Sequence, residues 1–356
     1  MDGIQPLEYP WPKPPEFGRA IEIAQGILWI RLPLPTALDH VNIYALDDGD
    51  GWTIVDTGMG SNKTRGLWRD LMARELGGRP ITRVILTHHH PDHVGLAGWF
   101  KSEFGAEIWA TRTAWLMARM LTLDVQELPT SETLDFWRKA GMDPVELDKR
   151  AKGKPFNFAD TVHPIPLGFH RIKEGDEITM GGRTWDIRIG NGHAPEHATF
   201  WCRDDDIVIS GDQIISAISS NLGVYATEPE ADPVGEWLEA CERLNQYSKP
   251  THLVLAGHKL PFLGLPHRMQ QLIENHHHAL DRLAEYIAEP KCATDCFPAL
   301  FKRKIGEGEY GLALVEAVAH LNHLYLAERA ERVLDQSGAY LYRAILGGTN
   351  HSTQST

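Results

Sequence analysis

A chain of 356 residues, 42% hydrophobic and 23% charged, has globular composition and is long enough for one large domain or a main domain with a smaller companion. Its 48 acidic residues against 35 basic ones leave a formal net charge of −13, which argues against a primary role on nucleic-acid phosphates or anionic membranes. No uninterrupted apolar run approaches bilayer length, so no membrane span is expected.

The first 17 residues lack a basic region followed by an apolar stretch and do not read as a signal peptide. Their prolines predict an extended arm, packed on its own domain or on a neighbouring subunit, which leaves room for a homodimer. Four cysteines without a secretory signal suggest a reducing compartment, and a cytoplasmic location is expected. Cys292 and Cys296 lie four apart, but no second pair completes a zinc ribbon, so they read as small apolar residues.

In chain order, residues 20–32 and 41–46 read as strands, 47–51 (DDGDG) as a turn, and 52–55 as a strand. An amphipathic helix follows over 62–76, then a strand over 81–86 and a helix opened by Pro91 and Asp92 that runs towards Phe104. Residues 108–110 form a short strand. Residues 112–160 are mostly helical, with breaks at Pro129, Gly141 and Pro144, and they interrupt the strand rhythm as an insertion. Strands resume over 184–189, 199–202, 207–210 and 253–256, with a helix (DPVGEWLEACERLNQ) before the last. Such an order suits two sheets with helices outside them better than one doubly wound parallel sheet. A long helix over 266–288 is followed by two helical patterns broken near 324–328 and by a strand in GAYLYRAIL. This predicts a small winged-helix-like domain, 266–346 with its linker helix, and a disordered tail over 347–356.

The chemistry concentrates in ILTHHHPDHVG, residues 85–95. At a strand end alternate side chains share a direction, so His88 and His90 converge while His89 faces elsewhere. The chain then enters a helix whose first residues, Asp92 and His93, can point back at the same space. Imidazoles with a carboxylate suit zinc, and also iron or manganese. The remaining ligands are expected at other strand ends, where IRIGNGHAPEH presents His193, IVISGD presents Asp212 and LVLAGH presents His258. TIVDTG places Asp56 where it can support ligands by hydrogen bonds. His197 either supports the ligands or starts a strand, and Lys259 either orients an anionic substrate or is an ordinary surface lysine. His276, His277 and His278 diverge around a helix and read as a solvated face.

The pattern His-x-His-x-Asp-His, standing here as His88, His90, Asp92 and His93, together with His193, Asp212, His258 and Asp56, resembles the metallo-β-lactamase superfamily. The resemblance implies an α/β, four-layer αββα sandwich over roughly 18–265, carrying the helical insertion and the small C-terminal extension found on lactamase-beta-like members. It further implies two divalent metal ions: His88, His90 and His193 on one, Asp92, His93 and His258 on the other, and Asp212 bridging. Zinc is the first expectation, with iron or manganese as alternatives. A bridging Asp212 is similar to glyoxalase II and lactonase-type members more than to the true zinc β-lactamases.

Two ions about 3.5–4 Å apart lower the pKa of a shared water towards neutrality, so the expected reaction is hydrolysis by a metal-bound hydroxide that Asp92 helps to orient. A small ester, thioester or lactone leads as substrate. A nuclease or phosphodiesterase, or β-lactamase-like activity, is the alternative, and the acidic charge and lack of an RNA-binding signature argue against nucleic acid. Trp115, Leu116, Met117, Met120, Leu121, Leu123, Phe136 and Trp137 of the insertion either line an acyl pocket or pack the insertion onto the sandwich.

Overall fold

The computed structural model describes residues 6–301 and 303–345. Two compact units are assembled from interleaved segments, the first from 1–125, 156–220 and 239–271, the second from 126–155, 221–238 and 272–356.

The first unit holds two sheets. One runs in order β1 (Ala20–Ala24), β2 (Ile27–Pro33), β3 (His40–Asp47), β4 (Trp52–Val55), β5 (Ile81–Ile85), β6 (Glu107–Ala110) and β7 (His170–Arg171). The pairs from β1 to β4 are antiparallel and those from β4 to β7 parallel. The other contains β8 (Glu177–Met180), β9 (Arg183–Gly190), β10 (His197–Cys202), β11 (Ile207–Gly211) and β12 (Leu253–Ala256), in the spatial order β12-β11-β10-β9-β8. The apolar run over 20–32 is therefore two strands rather than one, divided by a tight turn at Gln25 and Gly26.

Both faces of the first sheet are buried, and the alternation of its side chains shows how. On β3, Tyr44 and Leu46 join a core with Trp185, Ile187 and Phe200 of the second sheet, while Val41, Ile43 and Ala45 point the other way. There they meet Trp68 and Leu71 of α1 (Asn62–Ala73), Phe100 and Trp115. β4 is buried at every position, and β5 keeps Ile81, Val84 and Ile85 buried, so both short β-branched runs were legible as strands. The result is the αββα sandwich of an α/β protein.

The helix expected from Pro91 to Phe104 is broken into α2 (Pro91–Val94) and α3 (Ala97–Phe104). Gly95 marks the break: a Cβ there would lie 2.4 Å from Pro91 O and 2.5 Å from Gly60 N, so the glycine lets the loop after β4 approach. The insertion is helical, as α4 (Arg112–Leu123), α5 (Ser131–Lys139) and α6 (Pro144–Ala151). α7 (Pro233–Asn245) precedes β12, and α8 (Leu265–Tyr286) follows it. The N-terminal arm is tied to the first unit by paired backbone hydrogen bonds between Glu8 and Leu263.

In the second unit, α9 (Phe297–Leu300) and α10 (Tyr310–Leu326) lead to a hairpin of β13 (Ala330–Leu334) and β14 (Tyr340–Ala344). The second helical pattern expected after Leu326 is thus a strand. Glu328 adopts φ 56° and ends the helix, and Arg332 of β13 lies over the rings of Tyr325 and Tyr340 at 4.4 and 4.3 Å. Pairing and stacking override the helical propensity of AERAERV. His276, expected on a solvated face, is buried against Trp237 with ring centroids 4.5 Å apart, whereas His277 and His278 are exposed. The tail over 347–356 lies outside the described residues.

Candidate metal centre

The site forms where strands of both sheets end. β4 delivers Asp56, β5 delivers residues 87–90, α2 carries Asp92 and His93, the loop between β9 and β10 carries His193, and β11 and β12 end at Asp212 and His258. Seven sequence-predicted ligands converge. His88, His90 and His193 offer donor atoms within 4.8 Å of one another, and the same holds for His88, His93 and Asp212 and for Asp92, His93 and His258. His88 and His93 each belong to two of these groups, so the three sets share one continuous centre.

The imidazoles are oriented by hydrogen bonds on the nitrogen turned away from the centre. Asp56 Oδ1 accepts from the Thr87 amide at 2.8 Å, and its Oδ2 accepts from Thr87 Oγ1 and His93 Nδ1, both at 2.8 Å. With its proton on Nδ1, His93 presents a bare Nε2 inward. Thr87 Oγ1, already donating to Asp56, accepts from His88 Nδ1 at 2.9 Å, which leaves His88 Nε2 as the inward acceptor, 3.0 Å from His90 Nδ1. His258 Nδ1 donates to His40 O at 2.7 Å, turning its Nε2 towards Asp212 Oδ2 at 3.0 Å and Asp92 Oδ2 at 3.4 Å. Asp56 holds a left-handed backbone, φ 67°, an uncommon conformation for a non-glycine residue and one concentrated at functional sites.

Two inward atoms, His93 Nε2 and Asp212 Oδ1, are buried without a hydrogen-bond partner among the described residues. Gly257 permits this crowding, since a Cβ there would lie 2.2 Å from Asp212 Oδ1. Asp56, Asp92 and Asp212 form ion pairs within 4 Å only with histidines, namely His93, His193 and His258; no lysine or arginine among the described residues neutralises them. With no lysine or arginine present, histidine protons or bound cations must balance these buried carboxylates. Imidazole nitrogens that give up their protons on binding, together with carboxylate oxygens, form a donor set that fits divalent first-row metal ions.

The electrostatics sort the histidines. Burial and the neighbouring imidazoles hold His88 and His90 far below the usual histidine range, so both are neutral donors. Burial opposes charge on His258 as well, but Asp212 and Asp92 outweigh it and raise its pKa to about 10. His93 is raised for the same reason, by Asp212, Asp92 and Asp56. Burial works against the charged carboxylates, yet the adjacent His93 and His258 keep Asp92 and Asp212 below the ordinary range.

His89 is absent from the donor groups; its ring lies parallel to Phe158 at 6.3 Å. His197 supports the centre without joining a donor group. Its Nε2 accepts from the Asp212 amide at 3.1 Å, and its ring stacks on His88 at 4.6 Å. Sequence reasoning missed Thr87, His40 and Glu196. Glu196 (φ 49°) accepts from Thr111 Oγ1 through its carbonyl and from the Thr113 amide through its carboxylate, tying the His193 loop to the start of α4. The adjacency of Thr87 to the histidine run was its only visible signal. Nothing local marks His40, whose partner is 218 residues away.

Residues 36–258 match the family described as the metallo-beta-lactamase superfamily, and residues 280–345 match the metallo-beta-lactamase-like C-terminal domain. The chain is 35% identical to a beta-lactamase domain protein from Burkholderia ambifaria, with a TM-score of 0.87 over 95% of this chain and 98% of that one. A metallo-beta-lactamase family protein from Thermus thermophilus superposes with a TM-score of 0.76 at 24% identity, over 91% of this chain and all (100%) of that one. The probable metallo-hydrolase YqjP of Bacillus subtilis is 24% identical over 313 residues, 85% of this chain and 93% of its own length.

Proposed function

The chain belongs to the metallo-beta-lactamase superfamily and is a metallohydrolase, and from that premise we propose that it cleaves a small ester, thioester or lactone with two divalent ions, zinc first among them. The observation that carries the reading is the convergence of seven imidazole and carboxylate donors, among them His93 Nε2 and Asp212 Oδ1, buried 3.5 Å apart without a hydrogen bond, in a cluster whose carboxylates have no lysine or arginine partner among the described residues. His88, His90 and His193 would hold one ion, Asp92, His93 and His258 the other, with Asp212 between them. Ions so held supply Lewis acidity and a water nucleophile at neutral pH.

The chain's own residues then have separate tasks. Asp56 and Thr87 fix the tautomers of His93 and His88, and His40 fixes that of His258. Asp92, with 18% of its side chain exposed against 7% for Asp212, is the carboxylate that reaches open space and holds the proton of the attacking water. On the apolar side, α4 begins at the loop carrying His193 and leaves Leu116, Met120 and Leu123 exposed along one face. That stripe favours an acyl chain over a phosphodiester polymer, as does the net charge of −13.

Metal analysis of the purified protein, paired with hydrolysis assays on thioesters, lactones, β-lactams and phosphodiesters, tests the reading in wild type and Asp212→Ala. Close to two equivalents of divalent ion and turnover of an acyl substrate are expected in wild type, with both reduced in the variant. A wild type that takes up no divalent ion defeats the proposal, and turnover confined to phosphodiesters replaces its substrate class.

A further inference from the structure

Beside the candidate centre, within the first unit, lies a cavity of about 310 Å³ whose walls include Tyr9, Arg31, His40, Ser216, Lys259 and Leu260. It is walled by the same strand-end loops that build the centre: Ser216 lies four residues after Asp212, and Lys259 directly follows His258. The ring of His40 stands between the two, its centroid 6.0 Å from that of His258. Among the described residues two cations line the cavity and no carboxylate does, in a chain of net charge −13.

The two cations differ. Arg31 Nη2 lies 3.2 Å from Asp39 Oδ1, so part of its charge is met by a carboxylate that is itself 63% exposed. Its Nε is buried and has no hydrogen-bond partner among the described residues. Lys259 forms no ion pair within 4 Å among the described residues. Its backbone is left-handed, φ 66°, which costs an L residue with a Cβ and favours glycine. That conformation is clamped from both sides. The Lys259 amide donates to His40 Nε2 at 2.9 Å, and Asn42 Nδ2 donates to Lys259 O at 2.8 Å. His40, accepting on Nε2, carries its proton on Nδ1 and donates it to Asp39 Oδ1 at 2.5 Å. Glycine would relieve the backbone here, yet the position holds a half-buried lysine that feels the charge of Asp39 but forms no ion pair within 4 Å among the described residues. A strained, unpaired cation on the wall of a cavity next to reactive groups is a pattern of ligand recognition.

We propose that Lys259, backed by Arg31, receives an oxyanion on the substrate, a carboxylate or a phosphate, and so directs the centre towards anionic acyl compounds over neutral ones. The inference rests on the metallohydrolase reading for what is cleaved, but the receptor itself can be tested without turnover.

Binding of glutarate, inorganic phosphate and the neutral control glutaramide to the full-length protein as purified is measured by calorimetry for wild type, Lys259→Gly and Lys259→Arg. Wild type is expected to bind at least one of the anions and not the amide. Lys259→Gly should weaken that binding about tenfold or more, the scale of one charge-assisted hydrogen bond, while Lys259→Arg keeps most of it. Lys259→Gly should melt no lower than wild type, because glycine suits the backbone, so lost binding is not lost folding. A parallel kinetic arm compares S-butanoyl-N-acetylcysteamine with its S-glutaryl analogue and with butanoyl coenzyme A, which separates a carboxylate on the acyl side from phosphates on the thiol side. The kcat/KM ratio of anionic over neutral substrate should fall about tenfold in Lys259→Gly. The receptor is overturned if wild type binds neither anion, or if Lys259→Gly matches wild type in binding and in that ratio. If anion binding depends on Lys259 but no thioester turns over, the receptor stands and the hydrolase reading on acyl substrates falls.

Discussion

Asp56 belongs to none of the three donor groups, yet three hydrogen bonds converge on its carboxylate, from the Thr87 amide, Thr87 Oγ1 and His93 Nδ1. In Asp56→Asn one oxygen becomes a donor and must face one of those three donors. The expected result is divalent-ion affinity lower by about 10–100-fold with an unchanged far-UV spectrum, read by competition with a chromophoric chelator. Gly257→Ala probes the same crowding from the other side: the added methyl would meet Asp212 Oδ1, and metal content should drop along with Tm. Wild-type metal content in Gly257→Ala would show that Asp212 has room to move. At this scale the donors were legible because each stands at the end of an apolar run. The groups that orient them were less so, since Thr87, His40 and Glu196 acquire their roles from partners brought close only by folding.

Helices and strands obey a different rule, in which what matters is how many faces are buried. α1 packs Trp68 and Leu71 under the first sheet, both without solvent contact. Leu71→Ala should cost about 2–5 kcal/mol in urea unfolding, with the m-value unchanged. α10 is buried around most of its circumference and carries Glu316 among apolar neighbours. Burial lifts that carboxyl to about 7, although Asn221 donates to it and pulls the other way. Its folded pKa thus lies above the unfolded value, so the stabilisation present below about 4.5 is lost as pH rises through about 7. Glu316→Gln should flatten the fall in Tm between pH 5 and 8, and an unchanged slope would place the titrating group elsewhere. Strand identity was legible for β4 and β5, short runs rich in β-branched residues, and illegible for β13, whose AERVL reads as helix until its pairing with β14 is known. The break between α2 and α3 was hidden for a similar reason: Gly95 ends the helix through its proximity to Gly60, a tertiary contact.

For the whole molecule, the centre stores its cost in three neighbouring buried or partly buried carboxylates, and bound cations offset that cost. Stripping metal with a chelator should lower Tm, and readdition should restore about 1.4 kcal/mol per tenfold rise in free ion above Kd. An identical Tm with and without metal would mean that the carboxylates are compensated by protons alone. Two sheets with outer helices could be anticipated from element order and the donors from their strand-end positions, with the αββα sandwich and the grouping of the donors implied by the family resemblance; the interleaving of the two units could not, because it depends on contacts among distant segments. The tie between Glu8 and Leu263 has a temporal side. An arm near the start of the chain finds its partner just beyond β12, the strand that also brings the last donor, His258. During synthesis Glu8 leaves the ribosome well before Leu263, so the arm cannot dock until the residues just after β12 have emerged. Closure of the first unit thus depends on contacts of long sequence separation, the kind that slow folding in general.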